Sequence, residues 1–139
     1  FTNCPIYCPA MGQVMLRVQR DTADTDARLL SITVDGTNDT PEVLAAYAEN
    51  LGADTDRWPF LTGDPDAVRS LCEDQLKLGI AVNPNHPITL PDGNTMDFID
   101  HPTRLVLVGP DRQVLGMYSY ARPEEIDRLV ARLRRLARP

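Results

Sequence analysis

The sequence predicts an α/β fold in which helices cover a sheet. Two observations carry this. Apolar residues recur at helical spacing in some segments and alternate at strand spacing in others, and the two kinds are interspersed along the chain. The 139 residues, 42% of them hydrophobic and 24% charged, are enough for one domain with its own core and are spread without repeats or low-complexity tracts.

Taken in order, Met11, Val14, Met15 and Val18 repeat at i, i+3, i+4 and i+7, which predicts an amphipathic helix from about Pro9 to Arg20. Leu30, Ile32 and Val34 alternate with Ser31 and Thr33 as a strand that ends in the turn-prone DGTND. Thr40 and Pro41 open a second helix, with Leu44, Tyr47, Ala48 and Leu51 on its buried face and Gly52 after its end. WPFLTGD holds a short extended piece, after which Asp64 and Pro65 begin a third helix expected to run to Gly79. Its apolar side is Val68, Leu71, Cys72 and Gln75 or Leu76. Ile80 to Val82 reads as a short strand, and residues 83–100, rich in Pro, Asn, Gly and Asp, as a long loop or inserted hairpin. Leu105 to Val108 and Val114 to Tyr118 form a hairpin through GPDRQ. Pro123 opens a last helix whose core face is Ile126, Leu129, Val130, Leu133 and Leu136, with acidic residues in its first turn and arginines toward its end.

A net charge of −6 argues against nucleic acid as a partner, because phosphate binding needs a basic face. The longest apolar runs, such as LVLVG, fall far short of the roughly 20 residues that cross a bilayer. Three cysteines are too few for a disulfide framework. Cys4 and Cys8, each followed by proline, read instead as an exposed redox or metal pair on the first turn of the first helix. A helix N-terminus lowers a thiol's pKa and so favours the thiolate that ligates metals and attacks disulfides.

Two thiolates leave a transition metal short of ligands, so a third is sought among His86 and His101. His101 stands directly before the strand RLVLV, where a rigid edge could aim its ring at the cysteines, whereas His86 lies inside the long loop. Thiolate with imidazole suits copper, copper(I) especially, while zinc would normally take a fourth protein ligand. Other residues read as structural. Cys72 is expected as a small buried hydrophobe, Met11 and Met15 as core, and Trp58 as packed under the long loop with its indole bonded; Met96 is a remote candidate for a further soft ligand.

In this order, FTNCPIYCPAM, LLSITVDGTNDTPEVLAAYAENLGA, WPFLTGD and DHPTRLVLVGPDRQVLGMY resemble the Sco/SenC family of copper chaperones over nearly the whole chain. The resemblance implies a thioredoxin-like fold, a central mixed sheet flanked by helices, and delivery of copper to a recipient such as a cytochrome c oxidase subunit. By position it implies Cys4, Cys8 and His101 as copper ligands and places Asp35 and Asp39 in an acidic turn near the metal. It also implies a location outside the cytoplasm. In that fold a central strand precedes the cysteines, so residues 1–139 are expected to be a single domain lacking that strand, with a membrane anchor in a segment preceding Phe1.

His101-Pro102-Thr103 departs from the family and is similar to thioredoxin itself, which leads to the expectation of a cis His101–Pro102 bond. Asp35-Gly36 stands where the family has Asp-Pro. The competing function is a thiol-disulfide oxidoreductase using Cys4 and Cys8 as its catalytic pair, against which the three-residue spacing and His101 both weigh. Peroxide reduction fits less well, since Thr2 lies two residues before Cys4 where that chemistry has three. No nucleophile elbow or phosphate-binding glycine loop is present.

Overall fold

The computed structural model describes residues 1–137. Helix α1 spans Cys8–Asp21, strand β1 Ser31–Ile32, helix α2 Pro41–Leu51, strand β2 Phe60–Leu61 and helix α3 Pro65–Ser70. Strands β3 (Ala81–Thr89), β4 (Thr95–Asp100), β5 (Arg104–Val108) and β6 (Val114–Ser119) follow, and helix α4 covers Pro123–Leu136. The strands pair two by two: β1 with β2 in parallel, β3 with β4 and β5 with β6 antiparallel. Parallel and antiparallel pairs are thus both present, but no hydrogen-bonded ladder joins the three pairs among the described residues.

One apolar cluster unites helices α1 and α4 with the β5–β6 pair and the chain leading into the β1–β2 pair. Val18 of α1, Leu29, Trp58, Leu105 and Leu107 of β5, and Ile126 and Leu129 of α4 are buried together, with Met11 and Met15 packed against them. Each large side chain buried this way contributes roughly 1.5–3 kcal/mol. Trp58 therefore belongs to this core rather than to the underside of the 83–100 segment, and its indole N–H donates to Ser31 Oγ at 2.9 Å. Arg17 of α1 pairs with Asp127 of α4 across the helix seam. Leu136, assigned by spacing to the core face of α4, is exposed.

Local chemistry explains the element ends. Thr40 Oγ1 accepts from the Val43 N–H, Pro41 takes the first turn, and Gly52 closes α2 at φ +81°. Asp64 caps α3 in the same way through the Ala67 N–H. Helix α3 is shorter than expected: after Ser70 the backbone opens into a π-turn over Leu71–Gln75, and Lys77 turns the chain at φ 57°. Cys72 sits on that π-turn half-buried, so it is not the core residue anticipated.

Strand β1 faces the other way from the apolar alternation. Leu30 is 50% exposed while Leu29 and Thr33 are buried, because the interior on this side needs the Thr33 hydroxyl for a buried carboxylate described below. The 83–100 segment is a hairpin, and its first strand runs well past the Ile80 to Val82 expected. Its register shifts between Asn83 and Pro87, where prolines cannot donate to a ladder, and Gly93 at φ +87° shapes its turn. No peptide bond among the described residues is cis, so the His101–Pro102 bond is trans, correcting the expectation from the thioredoxin-like dipeptide. Trans is the ordinary preference of an X-Pro bond by about 0.5–1 kcal/mol.

Candidate metal centre

The two cysteines do not share a helical turn. Cys8 is the first residue of α1 and Cys4 lies in the turn before it, where the Cys4 N–H donates to the Phe1 carbonyl at 3.2 Å. Tyr7 at the N-cap offers no side-chain acceptor to the helix start. The backbone N–H groups of Cys8, Ile6 and Tyr7 at this start act instead on the Cys4 thiol, lowering its pKa. Both thiols are free.

Burial pushes the Cys4 thiol up, yet those N–H groups and the Cys8 thiol outweigh it and leave Cys4 below the ordinary thiol range. Cys8 goes the other way: burial, with the neighbouring Cys4 adding to it, pushes its thiol up to about 11. Exposure runs against acidity here. Cys4 is 3% exposed, which corrects the reading of an exposed pair, and only Cys8 is partly open to solvent.

His101 follows the last residue of β4, so the hairpin delivers it to the cysteines. Its Nε2 lies 3.8 Å from Cys8 Sγ, and its Nδ1 donates to the Pro102 carbonyl at 3.2 Å. That bond fixes the tautomer, because a carbonyl can only accept, and leaves the Nε2 lone pair toward the thiols. Burial lowers the His101 pKa and keeps the ring neutral. The donor atoms of Cys4, Cys8 and His101 all lie within 4.8 Å of one another. His86 is exposed on β3 and outside this group, and the Met96 sulfur faces Asn38 Nδ2 at 3.8 Å.

Two further parts of the site come from elsewhere. Asp39, fully buried, accepts from the Thr2 N–H at 3.0 Å, from the Thr2 hydroxyl and from the Thr33 hydroxyl. It thereby ties the segment just before Cys4 to the end of β1. The acidic turn was legible, but not that its carboxylate holds Thr2. Around the thiols stand the rings of Phe1, Tyr7 and Phe98: Phe98 meets Phe1 and Tyr7 edge-on, and Phe1 meets His101 in the same manner. Phe98 was not singled out from sequence, and the only signal was the apolar FI pair in MDFIDH.

A profile of the SCO1/SenC family matches residues 1–138. The SCO1 protein homolog of Bacillus subtilis (strain 168) is 35% identical over 121 residues, which cover 86% of this chain and 58% of that protein. The chain thus spans under two thirds of the length of that relative. Among solved structures, the SCO1/SenC family lipoprotein from Bacillus anthracis superposes with a TM-score of 0.76 at 25% identity, covering 98% of this chain and 76% of the other. BsSco, a member of the Sco family of cytochrome c oxidase assembly proteins in which a disulfide switch is described, gives 0.75 at 29%, covering 98% and 75%. Copper-bound yeast Sco1 gives 0.72 at 23%, covering 96% and 72%, a likeness of fold.

Proposed function

The chain belongs to the SCO1/SenC family, whose thioredoxin-like α/β fold it shares, and from that premise we propose that it binds copper through Cys4, Cys8 and His101 and hands it on. The observation that carries the reading is the convergence of three donor atoms within 4.8 Å. Two sulfurs and one imidazole are a soft donor set that suits copper(I). The ligands are prepared unequally: Cys4 favours its thiolate, His101 presents a neutral Nε2, and Cys8 gives up its proton when metal arrives. Three ligands leave positions free, and a cargo ion needs such an opening to exchange onto a recipient. That recipient is a copper-receiving protein in cytochrome c oxidase assembly, the process in which BsSco takes part. The working location is outside the cytoplasm, in keeping with the lipoprotein relative; none of the described helices is long and apolar enough to cross a membrane.

A second reading, thiol-disulfide exchange, is favoured by the two free thiols and the acidity of Cys4. In it the Cys4–Cys8 dithiol would be oxidised to a disulfide as a substrate disulfide is reduced to two thiols. Geometry weighs against it. The acidic thiol is shielded, and the more accessible one holds its proton.

An anaerobic copper(I) titration of the reduced protein against a competing chelator decides between them. One copper per chain, held at least about 10-fold less tightly in His101→Ala, is expected. Absence of competitive binding by folded protein would remove the copper reading and leave the oxidoreductase.

A further inference from the structure

We infer that Phe98 is the positioning residue for His101, its ring registering the hairpin that ends in the histidine against the segment that carries both cysteines. The inference rests on the copper reading. Among the described residues, the three donors come from two stretches of chain with no strand pairing between them: Cys4 and Cys8 from residues 1–8, and His101 from just beyond β4, which has β3 as its only ladder partner there. Something other than a sheet must hold the two stretches in register.

Phe98 stands three residues before His101 and is 5% exposed, yet it is not a member of the main core cluster. Its burial is supplied at the site itself. The Phe98 ring meets Phe1 with centroids 5.7 Å apart at 64°, and Tyr7, between the two cysteines, at 6.4 Å and 69°. Phe1 in turn meets the His101 ring at 5.8 Å and 82°. Edge-to-face packing of this kind has a preferred geometry, so it fixes position as well as burying area. Removing the Phe98 ring takes away the surface on which Phe1 rests, and with it the packing that sets the His101 ring beside Cys8.

Phe98 acts through His101, so its effect must vanish when the histidine is absent. The test is a double-mutant cycle on reduced, metal-free protein, read by copper(I) competition with a chelator and with folding checked by circular dichroism. Phe98→Ala is expected to weaken copper(I) by about 10-fold or more in the native background and by less than about 2-fold in His101→Ala. Phe98→Tyr, which keeps the ring, restores affinity to within about 3-fold of the native chain. Should Phe98→Ala fail to fold, Phe98→Leu carries the cycle, since it keeps apolar bulk but not the ring. Full affinity in the ring-less variant, or an equal loss in both backgrounds, overturns the positioning role while leaving the copper site standing. A native chain that binds no copper instead overturns the copper reading beneath it.

Discussion

Cys8 and Cys4 are four residues apart and chemically unlike, because one backbone turn aims its N–H groups at Cys4 and leaves Cys8 to its burial. A thiol reacts through its thiolate, so with a pKa of about 11 the Cys8 alkylation rate in reduced, metal-free protein should climb about 100-fold from pH 7 to pH 9. Iodoacetamide labelling followed by peptide mass spectrometry reads this directly, and a plateau below pH 9 would contradict it. His101 was legible as the third member of the group because a histidine ahead of an apolar strand run is held by a rigid element. Its tautomer was not legible, since it depends on the Pro102 carbonyl, a backbone group that residue types do not reveal.

At the scale of elements, spacing and caps located the four helices because their signals are local: Thr40 and Pro41, Asp64 and Pro65, Gly52. The face of β1 was not readable that way. Leu30 points outward since the buried Asp39 claims the Thr33 hydroxyl, and such a demand arises only when distant segments meet. Gly36, in the turn after β1, is another long-range requirement. A Cβ there would lie 2.4 Å from the Gly63 carbonyl oxygen, a backbone atom that cannot swing aside. Gly36→Ala should therefore destabilise the fold by about 1–3 kcal/mol, seen as a lower urea midpoint at unchanged slope. An unchanged midpoint would mean that the Gly36 and Gly63 turns separate at no cost.

Across the whole molecule, the fold class and the three converging side chains were legible because their motifs recur in a fixed order along the chain. The trans His101–Pro102 bond, the burial of Cys4 and the aromatic packing around Phe1 were not, since each depends on where the hairpin docks. The molecule brings chain positions 4, 8 and 101 to one point by setting that hairpin across the start of α1. Whether that point is a single copper site is most directly tested by X-ray absorption on the reduced chain loaded with one equivalent of copper(I). The account predicts a first shell of two sulfurs and one imidazole nitrogen, with the nitrogen lost in His101→Ala. A shell without imidazole in the native chain, or one unchanged by that substitution, would contradict it.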